Sequence, residues 1–366
     1  MGLELNIDVL LNSINKLSDA EKVAFNEIIF KEYLQTGNLT DYHNIVTGVK
    51  CNDPIPFGDK EQSWDFMQNA AGRNSACDPI LTTLGAKLSK KTWDTGIYTN
   101  AIEFCYKDID CKFKDYLGSD KCSNADPEGT LYLDFLLDLV GEALQNSHWT
   151  KTYFGAKTSS NTALNANDGF FVQYLAISAL NTDQRISIDA NQGNTYEQQK
   201  LTDPDIGFNT FNSIYERVED MYSLREKSGL YIKSTRSLAT NYLRWLRKNK
   251  QVDCCERDPL SNIYQLEKLN IYGLPIKVVD EWDQIIHATD DEGNPVFDEL
   301  NNGTRYTNPH RAVCTYKENE PIGTCDSEQL SKIDLQYNPY DKKTKVEAEY
   351  DVDAKVLRDT DFIIAI

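Results

Sequence analysis

The chain has 366 residues, 40% of them hydrophobic and 26% charged, enough to bury a sizeable core in two or three packed subdomains. Its 57 acidic against 38 basic side chains leave a formal net charge of −19, which argues against a module built on clustered Lys and Arg for phosphate backbones or anionic lipid. No stretch approaches the roughly 18 consecutive apolar residues needed to span a membrane.

Residues 1–17 lack a basic segment followed by a continuous apolar run and a small-residue cleavage site, so no signal peptide is expected. Asn6 breaks the myristoylation pattern. The nine cysteines, odd in number and without a CxxC, are expected to be reduced and mostly buried in a cytoplasmic setting. The 20 tyrosines suit surfaces that bury against one another while staying partly wet, although β-rich domains also use them.

Leu3, Ile7, Leu10, Leu11 and Ile14 recur at helical spacing. Ser18 through Glu21 then form a capping box that opens a second helix, ending before Gly37. The polar stretch to about residue 78 reads as an extended, loop-rich arm. Segment 97–113, IYTNAIEFCYKDIDCKF, mixes strand and helix spacing, and the two remain open. After a Cys-rich loop at 117–129, residues 130–147 carry a wide apolar stripe of Leu133, Leu136, Leu137, Val140 and Leu144, predicting a long helix. Residues 155–170 are small and polar, predicting a loop.

Two more helices are predicted at about 208–226 and 235–249, with a short strand in KSGLYIKST between them. KLNIYGLPIKVVD reads as two short strands around Gly273, followed by a polar hairpin tip at 288–299 and a strand in NPHRAVCTY. From Lys345 to Val356 apolar and polar residues alternate strictly. Val346, Ala348, Tyr350, Val352, Ala354 and Val356 face one side, predicting a half-buried strand of roughly 40 Å. DFIIAI closes the chain as an apolar strand. The fold class is therefore α+β.

Catalytic signatures are missing: there is no GxGxxG after a strand, GxxxxGK[ST], HExxH or GxSxG. The acidic run Asp290–Glu292 lacks calcium-loop spacing and reads as a β-turn. Asp108 with Asp110, and Glu216 with Glu219 and Asp220, read as solvated surface among 57 acids. His310 and Arg311 read as a hydrogen-bonded turn entering a strand. Trp245 with Arg244, Arg247, Lys248 and Lys250 fits a nucleic-acid contact and, equally well, an amphipathic helix with a cationic last turn. No catalytic residue, metal site or cofactor is assigned, and no enzyme is expected.

The late segments LEKLNIYGLPIKVVDEW, NPHRAVCTYKENEPIGT and VDAKVLRDTDFIIAI, in that order, resemble the major capsid proteins of tailed double-stranded DNA bacteriophages, with the Hong Kong 97-like fold. The resemblance covers about 60% of the chain, and its first 120 residues match by position alone. It implies an N-terminal helical arm at 1–50, an extended loop with flanking strands at 51–105, and a peripheral domain at 106–167 with spine helix 130–147. It further implies a mixed axial domain at 168–285, peripheral long strands and hairpin tip at 286–356, and a closing axial strand at 357–366.

On that resemblance the 345–356 strand would pair with the strand holding Arg311–Tyr316 as a flat lever. The function implied is a virion shell subunit, assembled in the bacterial host cytoplasm as homo-hexamers and homo-pentamers. The shell encloses DNA without sequence-specific binding, with no membrane, and with portal, scaffolding or decoration proteins as further partners. Contacts between subunits are placed at Tyr350, Arg311, Tyr316, Glu347, Trp93 and Trp64. The alternatives are an encapsulin-type nanocompartment shell and a cytoplasmic enzyme with an unrecognised carboxylate site.

Overall fold

The computed structural model describes residues 39–59, 87–105, 143–221, 228–249, 266, 268–288, 305–324, 334–338 and 343–366. The helices expected before residue 37, the Cys-rich loop, residues 130–142 of the predicted long helix, Trp64, Lys250, and all but the first residue of the hairpin tip lie outside these.

The strands in chain order are β1 (Ile45–Val46), β2 (Pro54–Asp59), β3 (Lys87–Thr92), β4 (Gly96–Cys105), β5 (Arg185–Ile186), β6 (Tyr231–Ser234) and β7 (Asn270–Ile271). They continue with β8 (Leu274–Val278), β9 (Ala312–Thr315), β10 (Ile322–Gly323), β11 (Asp334–Asn338), β12 (Lys343–Ala354) and β13 (Ile363–Ala365). The helices are α1 (Leu39–Tyr42), α2 (residues 143–154), α3 (Phe170–Leu180), α4 (Asp205–Asp220), α5 (Arg236–Asn249) and α6 (Asp280–Ile286).

The architecture is mixed α+β and centres on a six-stranded sheet in the order β5-β13-β9-β6-β8-β7. Its central strands are buried on both faces, so they read as apolar runs instead of alternating. Ala312, Cys314, Ile363 and Ala365 face one core, closed by Phe211, Ile214 and Val218 of α4 and Leu238 and Tyr242 of α5. Val313 and Ile364 face the other, closed by Trp149 and Tyr153 of α2, Phe170 and Tyr174 of α3, and Trp282 of α6. Gly207 lets α4 approach α5 closely, since a Cβ there would lie 2.7 Å from the backbone nitrogen of Tyr242.

A second sheet of five strands is organised by β12, which pairs antiparallel with β4 from Lys343↔Cys105 to Val352↔Gly96. On its other side β12 meets β11 at one end and β10 at the other. The β2–β3 ladder forms a separate two-stranded sheet.

Several expectations need correction. β12 does not pair with the Arg311–Tyr316 strand. β9 has all four residues buried and lies between β13 and β6, whereas the half-exposed β12 takes β4, β10 and β11. The predicted long helix does not stop at 147. α2 runs to 154, because His148, Trp149, Thr152 and Tyr153 prolong its buried face. Segment 97–113 is strand through Cys105. α3 has no predicted counterpart: FFVQYLAISAL is apolar nearly all round and shows no period. α6, at seven residues, is too short to show one. α4 starts three residues before its predicted boundary at 208, and α5 one residue after its own at 235. The β6, β7–β8, β9 and β13 segments stand where the patterns put them, and β12 begins and ends two residues before its predicted bounds of 345 and 356.

Candidate functional site

The densest polar chemistry lies where the two sheets meet. β6 is a central strand, and Ile232 faces the α4/α5 core, so Lys233 is sent into the opposite one. There Lys233 is fully buried and ion-paired with Glu320, also fully buried, from the turn that enters β10. The Tyr174 hydroxyl donates to Glu320 Oε1, and Lys233 Nζ donates to the Tyr153 hydroxyl at 3.1 Å. His43 completes the cluster: Nε2 lies 2.6 Å from the Tyr153 hydroxyl, and Nδ1 lies 2.9 Å from the Glu320 carbonyl and 3.6 Å from its carboxylate. The His43 ring stacks on Phe170, centroids 4.9 Å apart.

Burial governs the protonation states. It pulls His43 well below the ordinary histidine range, with the Lys233 charge acting in the same direction. It pushes Tyr153 and Tyr174 well above theirs, reinforced by the Glu320 charge. For Lys233 burial outweighs the attraction of Glu320, so the ammonium is easier to deprotonate than an exposed one. Groups this buried present no face to a diffusing substrate. Removing one partner would strand a buried charge, at a cost of roughly 3–5 kcal/mol.

A second anchor holds the base of the β2–β3 ladder. The backbone nitrogen of Trp93 donates to Asp53 O at 3.0 Å, and that of Asn52 to Trp93 O at 2.8 Å. The Trp93 ring fills the space over Gly323, where a Cβ would come within 2.6 Å of it. Asp94 N donates to Asp353 Oδ2 at 2.6 Å, and Lys91 Nζ to Val356 O at 2.6 Å and Asp359 Oδ1 at 2.5 Å. The Asp94 carboxylate is paired with Lys157, which lowers its pKa. Burial raises Asp353 to about 6, against the pull of Lys355.

The residues expected to contact other subunits are mostly engaged within this chain. Tyr350 bonds Ser147 Oγ at 2.5 Å and stacks on Tyr98, centroids 5.5 Å apart. Arg311 donates to Asn308 O and Thr307 O, both at 2.8 Å, and its guanidinium lies 4.4 Å from the Phe171 ring centroid. Tyr316 donates to Asp361 Oδ2 at 2.8 Å and accepts from Arg358 at 2.9 Å. With Trp93 these side chains are buried by their own fold, while Glu347 stays half-exposed beside Lys345.

The expected His310–Arg311 turn is present. Asn308 has φ +46°, and His310 spans Ser237 Oγ at 2.8 Å and Gln199 O at 2.6 Å. Trp245 stacks on Phe208 at 3.8 Å, as a residue of the α4–α5 contact. Among the described residues no three His, Cys, Asp or Glu side chains gather as a metal site, and no helix is long and apolar enough to cross a membrane.

Sequence reasoning missed Lys233 and Glu320. The signal available was a single Lys inside the apolar run LYIKS, which must find a partner if that strand is central. Outside the core, Ile97 on β4 is 60% exposed and borders a groove of about 500 Å³ whose lining includes Asn100, Leu144, Ser147 and Ala348.

No protein-family model matches the sequence, and no curated protein matches it. Solved structures do resemble it. A chain from the satellite phage P4 procapsid with its size determination (Sid) protein is 13% identical, with 98% of each chain covered and a TM-score of 0.46. A chain from Mycobacterium phage Ogopogo is 12% identical, covering 89% of this chain and 90% of its own, with a TM-score of 0.49. One from the bacteriophage PhiM1 mature capsid is 10% identical, covering 88% and 85%, with a TM-score of 0.44. The chain is thus similar over most of its length to chains of solved phage procapsid and capsid structures.

Proposed function

We propose that this chain is a self-assembling shell subunit, the major capsid protein of a tailed bacteriophage, forming hexamers and pentamers that close around DNA. The observation that carries the reading is the β4–β12 ladder. At its Gly96–Tyr98 end it is built into the core through Tyr98, Tyr350 and Val352. At the other end Thr99, Asn100, Ala101, Glu103 and Glu349 are exposed, so the ladder continues in register to Lys343↔Cys105, beyond what this chain's own core requires. A long ladder of this kind suits a surface that neighbouring copies pack against.

On this reading residues 1–50 form the arm, β2–β3 the base of the extended loop, α2 the end of the spine helix, the six-stranded sheet the axial domain, and β12 the peripheral strand. Portal, scaffolding and decoration proteins would be its further partners. Electron microscopy and sedimentation of the purified full-length protein test it. Closed shells, or rings of five and six copies, are expected. A protein that stays monomeric across salt and concentration, with or without co-expressed phage assembly proteins, would refute it.

A further inference from the structure

We infer that Lys233 and Glu320 are joined by a covalent amide between their side chains, formed within the folded chain without any added cofactor. The two groups are fully buried and in contact, with the Lys233 nitrogen 5.3 Å from the Tyr153 ring centroid and 5.9 Å from that of Phe170. An amine and a carboxyl group held together away from water have the proximity that condensation needs, and burial makes the Lys233 ammonium easier to deprotonate to the nucleophilic amine.

The surrounding side chains supply the remaining chemistry. Proton transfer within the pair gives a neutral amine and a carboxylic acid. The Nζ lone pair attacks Glu320 Cδ, and negative charge develops on Oε1, where the Tyr174 hydroxyl already donates. Nζ then gives up a proton to Tyr153, which bonds it at 3.1 Å, while the Tyr153 proton passes to His43 Nε2, 2.6 Å away. His43 Nδ1, 3.6 Å from Oε2, protonates the departing oxygen. The C–Oε2 bond breaks, the Nζ–Cδ bond remains, and one water leaves. No electrons are exchanged and no co-reactant is consumed.

The bond would weld β6, in the middle of the six-stranded sheet, to the turn that starts β10 in the other. This differs from the proposed assembly role, since a chain that never assembles could still carry the amide. The test is intact-mass spectrometry of purified full-length protein under denaturing conditions, with proteolytic peptide mapping. The expected result is a chain one water molecule lighter than its sequence, with a branched peptide joining the Lys233 and Glu320 fragments. Lys233→Arg should restore the full mass, and Tyr174→Phe should leave a mixture of both masses. A folded, protease-resistant wild-type protein carrying the full sequence mass would overturn the inference, whatever the variants do.

Discussion

Replacing Asp353 by Asn should stabilise the subunit at neutral pH and remove part of its pH dependence. The carboxylate is 1% exposed and accepts from Asp94 N at 2.6 Å and Lys355 Nζ at 3.3 Å. Burial nevertheless lifts its pKa from 3.8 to about 6. The folded protein therefore holds this proton up to higher pH than the unfolded chain does. The associated stability is fully present below about pH 4 and is lost as pH rises through about 6. A shift of about two units corresponds to a loss of about 3 kcal/mol by neutral pH. Asn keeps an oxygen for Asp94 N but adds buried N–H donors, so the expected gain at pH 7.5 is about 1–3 kcal/mol. Asp283, also lifted to about 6 by burial, gives the wild type a second contribution of the same sign, so the variant's slope should shrink without vanishing. Urea denaturation of dissociated subunits at pH 4.5, 6 and 7.5 measures this. A variant with the wild-type slope, or one less stable than wild type at pH 7.5, would refute the reasoning.

Gly323→Ala should cost about 1–3 kcal/mol by forcing a Cβ into the Trp93 ring, and Trp93→Leu in the same chain should recover part of the loss, both read by denaturant midpoint. Trp282→Ala, at a fully buried ring packed on Tyr153 and Phe171, should cost about 3–5 kcal/mol, while Trp282→Phe should cost much less. Ile97→Glu should leave subunit stability within about 0.5 kcal/mol, because the side chain is exposed. If the β4–β12 ladder is a packing surface, the same change should suppress shell formation in sedimentation assays.

How much of this was legible in the sequence depended on whether one face of each element meets water. β12 announced itself because Glu349 and Asp351 alternate with Tyr350 and Val352, and the structure keeps that contrast until Asp353 is covered as well. α4 and α5 were legible for the same reason, each having one buried and one solvated side. α3 was hidden because both its faces are largely apolar, and the end of α2 because its buried aromatics follow a more polar sequence. The ionic junction was out of reach: His43, Tyr153, Tyr174, Lys233 and Glu320 come from five segments that only the tertiary fold unites. For Tyr350, Arg311, Tyr316 and Trp93 an aromatic or Arg side chain suited an interior anchor as well as an interface.

The strand order of the six-stranded sheet also bears on how the chain is made. β5 is synthesised at mid-chain but pairs with β13 at the chain's end, with Arg185 opposite Ile364, and β9 must enter between β6 and β13. While the residues between Ser234 and Ala312 are being made, then, β6 has no β9 beside it, and its apolar residues wait on a strand not yet emerged. Contacts this distant in sequence slow folding and leave an adhesive strand edge in the nascent chain. Brief chaperone protection during synthesis would shield that edge until the last strands arrive.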